Sequence, residues 1–297
     1  MPSPNVRQRP HAPRGNPIGA ASGGEVQVTS LASGSSGNAL VVQHDGHALL
    51  VDCGLAPRKL AALLREAGVP PSDLSAVLIT HEHSDHVVGV AVIPKALEIP
   101  FYMTPGTRRA NPIVNGVAAF GRRDVVEQPP GSTRSIGPFE VTSFPVSHDG
   151  AEVCGYLIEA GGRAVAVFTD LGVAEHHLHE PLARAELLVI EANHDEGLLW
   201  NGPYPWHLKR RVASERGHLS NVACGALLGA VLPESGREIW LAHLSRTNNR
   251  PEMAVGEVRD TLRLHGFKDR AHSIQILPPQ GTTLRWQPAA RQLALGM

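Results

Sequence analysis

The sequence is short of three things, and each shortage closes off a class of protein. Cysteine is scarce: Cys53, Cys154 and Cys224 lie far apart, and no C-x-x-C pair occurs. A disulfide framework and a zinc ribbon are both excluded, and the three thiols read as small buried hydrophobes in a reducing compartment. Charge of one sign is missing, since 27 Lys and Arg stand against 28 Asp and Glu for a formal net of −1. That balance excludes a histone-like binder, so any nucleic-acid contact must come from a local patch or from bound metal. Long apolar runs are absent: nothing in the 297 residues approaches the roughly 20 apolar residues of a membrane span. Nor do the first 24 residues, rich in Pro, Arg, Gly and Ser, hold the apolar core of a secretory signal. The expectation is a soluble cytoplasmic protein with no membrane contact, a disordered tail over 1–24 and a single domain over 25–297.

What the chain does have is Thr80-His81-Glu82-His83-Ser84-Asp85-His86, directly after the apolar run Ala76-Val77-Leu78-Ile79. A strand delivers three imidazoles and a carboxylate into a loop. Imidazole nitrogen and carboxylate oxygen are donors that Zn²⁺ or a Mn²⁺-like ion accepts at about 2.0–2.2 Å. In an extended backbone residues two apart share a face, so His81 and His83 are expected to grip one ion together. Asp85 and His86, where the chain turns into the next helix, would point at a second.

Elsewhere the pattern alternates strands with helices. Glu25–Leu31 reads as an edge strand, and Ala32–Asn38 as a glycine-bearing loop that serves either as an anion cradle or as a plain turn. A hairpin follows around Asp45-Gly46, with His44 and His47 at its surface, and Pro57–Ala67 has the spacing of an amphipathic helix. Helices are expected over 86–93, 205–216, 219–231 and 251–264, and 105–120 reads as helical or irregular. Strands are expected at 99–103, 139–146, 156–159, 164–168, 186–190 and 238–241, with a terminal strand pair near 273–284. His148, Asp170 and His243 each follow one of these strands. A sheet gathers its strand ends along one edge, so residues far apart in sequence can converge there. Seven donors exceed one tetrahedral zinc and suit two ions about 3.5–4 Å apart with an aspartate between them.

H-x-H-x-D-H, a later strand-end histidine, Thr169-Asp170-Leu171-Gly172 and a final strand-end histidine resemble the metallo-β-lactamase superfamily over roughly residues 25–287. The resemblance implies an α/β chain folded as an αββα sandwich. It also implies His81, His83 and His148 on one metal, Asp85, His86 and His243 on the other, Asp170 bridging, and Asp52 bracing the ligand loop. Ser33–Asn38, Glu191–Asp195, Gly217–Asn221 and Leu244–Asn249 further resemble the YycJ/WalJ-like exonucleases. That likeness implies a 5′-to-3′ exonuclease acting on DNA rather than RNA, with a metal-bridging hydroxide as nucleophile. Asp85 and His218 would be its catalytic residues, His218 giving a proton to the leaving oxygen. The metal stays open among Zn, Mn and Fe.

Two M²⁺ ions, two carboxylates and one hydroxide leave a charge of about +1, which favours an anionic phosphodiester. A small-molecule hydrolase of the same fold (lactonase, thioesterase or cyclic-nucleotide phosphodiesterase) would use the same hydroxide. A metal-stabilised scaffold that binds nucleic acid without turnover is the non-enzymatic alternative. Only 73 positions separate Asp170 from His243 and 22 separate His148 from Asp170, too few for the inserted domain of β-CASP nucleases or a tRNA-binding arm. Lys209-Arg210-Arg211, beside Tyr204 and Trp206, is either a phosphate patch with a stacking aromatic or a solvated helix face. His194 is expected either just behind the ligands or at the rim of the site, not as a ligand, and His176, His177 and His179 lie in a polar helical stretch.

Overall fold

The computed structural model describes residues 24–90, 98–110 and 125–288. The tail expected over 1–24 therefore lies, but for Gly24, outside the described residues, as do the later parts of the segments 86–93 and 105–120.

Strands β1 (Gln27–Ala32), β2 (Ala39–His44), β3 (His47–Val51), β4 (Leu74–Leu78), β5 (Phe101–Met103) and β6 (Val125–Glu127) lie side by side in one sheet. Strands β7 (Thr133–Ile136), β8 (Phe139–Pro145), β9 (Cys154–Ala160), β10 (Arg163–Phe168), β11 (Leu187–Glu191), β12 (Glu238–Ala242) and β13 (Ser273–Ile276) make a second. The chain then returns: β14 (Arg285–Trp286) pairs antiparallel with β1, Trp286 opposite Val28. Hence β1 is not the edge strand that its weak alternation suggested. The terminal strand pair does not form either, because β13 and β14 belong to different sheets.

The helices among the described residues are α1 (Pro57–Glu66), α2 (Ser84–Val87), α3 (Pro105–Ala110), α4 (His179–Arg184), α5 (Glu196–Asn201), α6 (Trp206–Val212), α7 (Asn221–Val231) and α8 (Pro251–Leu264). Alternation along each strand decides which layer a side chain joins. Leu40, Val42, Leu49 and Val51 meet Val165, Val167, Leu187 and Trp240 between the sheets. Their neighbours Val41 and Leu50 face the other way, onto Leu60, Leu63 and Leu64 of α1. Across the molecule, Ala166, Phe168, Leu188, Ile190 and Leu241 pack under Leu227 and Leu228 of α7 and Val258 of α8. Strands buried on both faces are continuously apolar for this reason, and each fully buried Leu or Val side chain contributes about 1.5–3 kcal/mol. Helix, sheet, sheet and helix stack as the expected αββα sandwich.

Three connections set up the site. Asp45 and Gly46 take positive φ, 49° and 74°, and close the β2–β3 hairpin as expected. β3 and β4 run parallel with Val51 beside Leu78, so their ends arrive together. β10, β11 and β12 are also parallel, with Phe168 beside Ile190 and Ile190 beside Leu241, and their C-terminal ends stop along one line. The helix expected over 205–216 ends at Val212, and the next starts at Asn221, where Ser220 Oγ accepts from Ala223 N at 3.2 Å. All three cysteines are buried and none forms a disulfide, and among the described residues no helix is long and apolar enough to cross a membrane.

Candidate metal centre

The ligand loop is fixed before its histidines are placed. Its backbone is stitched to two neighbouring turns: Asn38 N donates to Asp85 O at 2.8 Å and Cys53 N to His86 O at 2.9 Å. The chains pass so closely that a Cβ on Gly54 would stand 1.5 Å from Asp85 O. Only glycine fits there. Asp52, at φ 57° just past β3, accepts from Thr80 N at 2.9 Å, Thr80 Oγ1 at 2.9 Å and His86 Nδ1 at 2.7 Å. A carboxylate can only accept from these donors, so His86 carries its proton on Nδ1 and turns Nε2 into the site. Burial opposes charge on His86, but Asp52 and Asp170 outweigh it and push its pKa up to about 9.

Around that loop the structure brings together the seven residues expected as ligands. His81, His83 and His148 offer nitrogens within 4.8 Å of one another, and so do the donor atoms of Asp85, His86 and His243. Asp170 stands between the two groups: Oδ2 is 3.3 Å from His86 Nε2, and Oδ1 is 3.7 Å from His148 Nε2 and 3.4 Å from His243 Nδ1. Burial alone would raise its carboxyl, but the imidazoles of His243, His86, His81 and His148 hold it well below the usual carboxylate range. Conversely, burial and the neighbouring His86 lower the imidazolium of His81.

A divalent ion fits this donor set. Asp170 Oδ2 and His243 Nε2 are buried without a hydrogen-bond partner, a costly arrangement unless something positive is coordinated. His148 is oriented for the same task, since its Nδ1 donates to Gly217 O at 2.8 Å and leaves Nε2 facing Asp170. Asn38 Nδ2 lies 2.9 Å from His86 Nε2, a contact that an ion held by His86 would displace.

His218 lies between the groups, its ring centroid 4.9 Å from that of His148 and 5.1 Å from that of His243. Its Nδ1 is 2.8 Å from Glu191 Oε1, and 22% of the side chain is exposed. Burial lowers its pKa, but the carboxylate of Glu191, by charge and hydrogen bond, together with Asp170 shifts it upward on balance. Glu191 is the site residue to which sequence reasoning assigned no role. Fully buried at the end of β11, it also accepts from His243 Nδ1 at 2.9 Å, Leu171 N at 2.8 Å and Leu219 N at 3.0 Å. Four donors occupy its lone pairs, so it orients histidines rather than ligating an ion, although it lies within ligand distance of Asp170, His218 and His243. The available signal was its place at a strand end, like Asp170 and His243.

The other histidines singled out in the sequence stand outside the donor groups. His194 is buried beside Ser220 with Nδ1 unpartnered, outside the donor groups. His177 Nε2 bonds to Pro145 O, and His176 and His179 stack on each other away from the site. His47 is exposed at its hairpin. Arg211 of the basic run pairs with Asp149 at 2.5 Å, and Asp149 Oδ1 lies 3.2 Å from His148 Nε2 and 3.5 Å from His83 Nε2. Arg216 donates to His148 O and Gly150 O, and Arg246 to Ser36 Oγ. Two guanidinium groups, those of Arg211 and Arg216, thus lie against the His148-Asp149 segment.

A family model described as a beta-lactamase superfamily domain matches residues 47–234. Exodeoxyribonuclease YycJ of Bacillus anthracis is 37% identical over 237 residues, spanning 80% of this chain and 89% of that protein. Exodeoxyribonuclease WalJ of Streptococcus pneumoniae is 37% identical over 226 residues, 75% of this chain and 83% of that one. Among solved structures, the metallo-β-lactamase fold protein YhfI of Bacillus subtilis superposes with a TM-score of 0.63 at 19% identity, covering 89% of this chain and 99% of its own. That last likeness is one of fold.

Proposed function

Because the chain belongs to the metallo-β-lactamase superfamily, in the branch of the YycJ/WalJ exodeoxyribonucleases, we propose that it is a two-metal phosphodiesterase that degrades DNA from the 5′ end. His81, His83 and His148 would hold one ion and Asp85, His86 and His243 the other, with Asp170 standing between the two groups. Imidazole and carboxylate suit zinc, manganese or iron. When bound, such ions polarise phosphate oxygens and lower the pKa of a water toward neutrality.

The protein's own residues do the rest. Asp52 fixes the ring of His86, and the carbonyl of Gly217 fixes His148. The observation that carries the reading is Glu191 against His218 Nδ1, on a ring that stands between the two donor groups. The carboxylate favours the imidazolium, so Nε2 carries a proton for the departing oxygen. As a hydroxide oxygen, formed when water gives a proton to solvent, bonds to phosphorus and the bond to the leaving oxygen breaks, the proton of His218 passes to the leaving oxygen, and His218 regains one from solvent. Arg211 and Arg216, against the segment that carries His148, support an anionic substrate over a neutral ester. Three buried cysteines, none in a disulfide, support work in a reducing cytoplasm.

Strands labelled at either end test this reading. With Mn²⁺ present, a 5′ label should appear at once in mononucleotide, while 3′-labelled strands shorten stepwise. Intact DNA alongside rapid lactone or thioester hydrolysis would replace the reading with the small-molecule alternative.

A further inference from the structure

Two of the four tryptophans sit side by side on the surface. Trp200 is 40% exposed and Trp206 65%, with ring centroids 5.5 Å apart at 47°. Adjacent exposed indoles are apolar area that folding has left unused, the kind of patch that marks a binding surface. Their support is rigid. Trp200 lies near the end of α5 and Trp206 begins α6. Between them Gly202 passes so near Leu198 O that a Cβ would stand 2.3 Å away, and Pro203 and Pro205 restrict the turn. Lys209 Nζ ties the two helices by donating to Trp200 O at 2.7 Å.

The same helix leads to the metal centre. α6 carries Lys209, Arg210 and Arg211 in its last turn and no acidic residue. Arg211 lies about 7.5 Å of helix rise beyond Trp206, and through Asp149 it abuts His83 and His148. A stacked strand advances about 3.4 Å per nucleotide, so a few nucleotides reach from the indoles to the donor groups.

We propose that Trp200 and Trp206 form a stacking platform for unpaired bases of the DNA strand being degraded, with Arg210 and Arg211 along its phosphates. The inference rests on the nuclease reading above. It makes the enzyme prefer a single-stranded end, because bases already stacked in a duplex offer no free face. It also leaves sequence unread, since every base has a π-face.

The test uses the full, metal-loaded chain and a phosphorothioate-linked oligothymidylate of about 12 nucleotides, which resists cleavage. Tryptophan emission should be quenched on binding. The Trp200→Ala/Trp206→Ala protein should bind the strand about tenfold more weakly or worse, while the Trp200→Phe/Trp206→Phe protein, which keeps aromatic faces, retains most of the affinity. An unchanged Kd in the alanine protein would overturn the platform, and so would equal weakening for a blunt duplex of the same length. Wild-type cleavage of the unmodified strand with Mn²⁺ reads the nuclease assignment separately. Binding through the tryptophans without any cleavage would keep the platform and discard that assignment.

Discussion

His218 and His243 share one acceptor: Glu191 Oε1 receives the Nδ1–H of both, at 2.8 and 2.9 Å. One buried charge thus orients the proposed proton donor and a proposed ligand at once, and losing it should touch both. Glu191→Gln keeps the shape but puts an amide where two imidazoles donate. Turnover should fall about 10- to 100-fold, with weaker binding of metal. Steady-state kinetics with metal analysis after dialysis checks this, and a protein with normal kcat and metal content would leave Glu191 a purely structural group.

Asp52 should matter for stability before it matters for chemistry. Asp52→Ala leaves Thr80 N without its acceptor in the interior and leaves Thr80 Oγ1 and His86 Nδ1 with only each other, at 3.2 Å, and His81 Nδ1, 3.0 Å from Thr80 Oγ1, in place of a carboxylate. Buried donors without partners cost about 1–3 kcal/mol each, so urea unfolding should show a loss of roughly 2–4 kcal/mol, allowing for partial relaxation. Metal content should fall as well, because His86 is freed to rotate.

Asp85→Ala separates the two donor groups. It removes a donor from the group of His86 and His243 and leaves His81, His83 and His148 untouched. Metal content should drop from about two ions per chain toward one, and turnover should be lost. Wild-type rates in this variant would refute a two-ion scheme.

Away from the centre, Glu257 gives stability a pH dependence of its own. Burial and the nearby carboxyl of Asp195 raise its pKa from 4.5 to about 7. Native protein therefore binds a proton that the unfolded chain has lost between these values, and the associated stability, full below pH 4.5, disappears as pH rises to about 7. Asn221 Nδ2 donates to Glu257 Oε2 at 2.8 Å, a bond that a glutamine oxygen can also accept. Glu257→Gln should flatten this part of the stability profile and leave the variant the more stable of the two above pH 7. Chemical denaturation of both proteins between pH 5 and 8 reads the difference.

Much of the centre was legible because its donors follow strands whose apolar runs are unmistakable. Leu74–Leu78 before His81, Arg163–Phe168 before Asp170 and Glu238–Ala242 before His243 are buried on both faces, and parallel pairing brings the last two ends together. Glu191 escaped a role because its partners are remote: His218 and His243 lie 27 and 52 positions away, and nothing local marks a carboxylate that accepts from both. Arg211 and Asp149, 62 positions apart, were hidden for the same reason. On the fold side, β6 and β7 are too short and exposed to carry a period, and α5 spans six residues behind its Asp195 cap. The partner of β14 is set by where the returning chain crosses β1, a matter of tertiary packing rather than of Arg285 and Trp286 themselves.

The most direct measurement compares His218→Ala with wild type on two phosphodiesters, DNA and thymidine 5′-(p-nitrophenyl phosphate). A sugar oxygen leaves with a proton, whereas p-nitrophenolate leaves without one. If His218 protonates the leaving oxygen, DNA cleavage falls about 10²- to 10⁴-fold, the nitrophenyl ester is hydrolysed at nearly the wild-type rate, and metal content stays near two ions per chain. Equal losses on both substrates, or loss of metal from the variant, would contradict it.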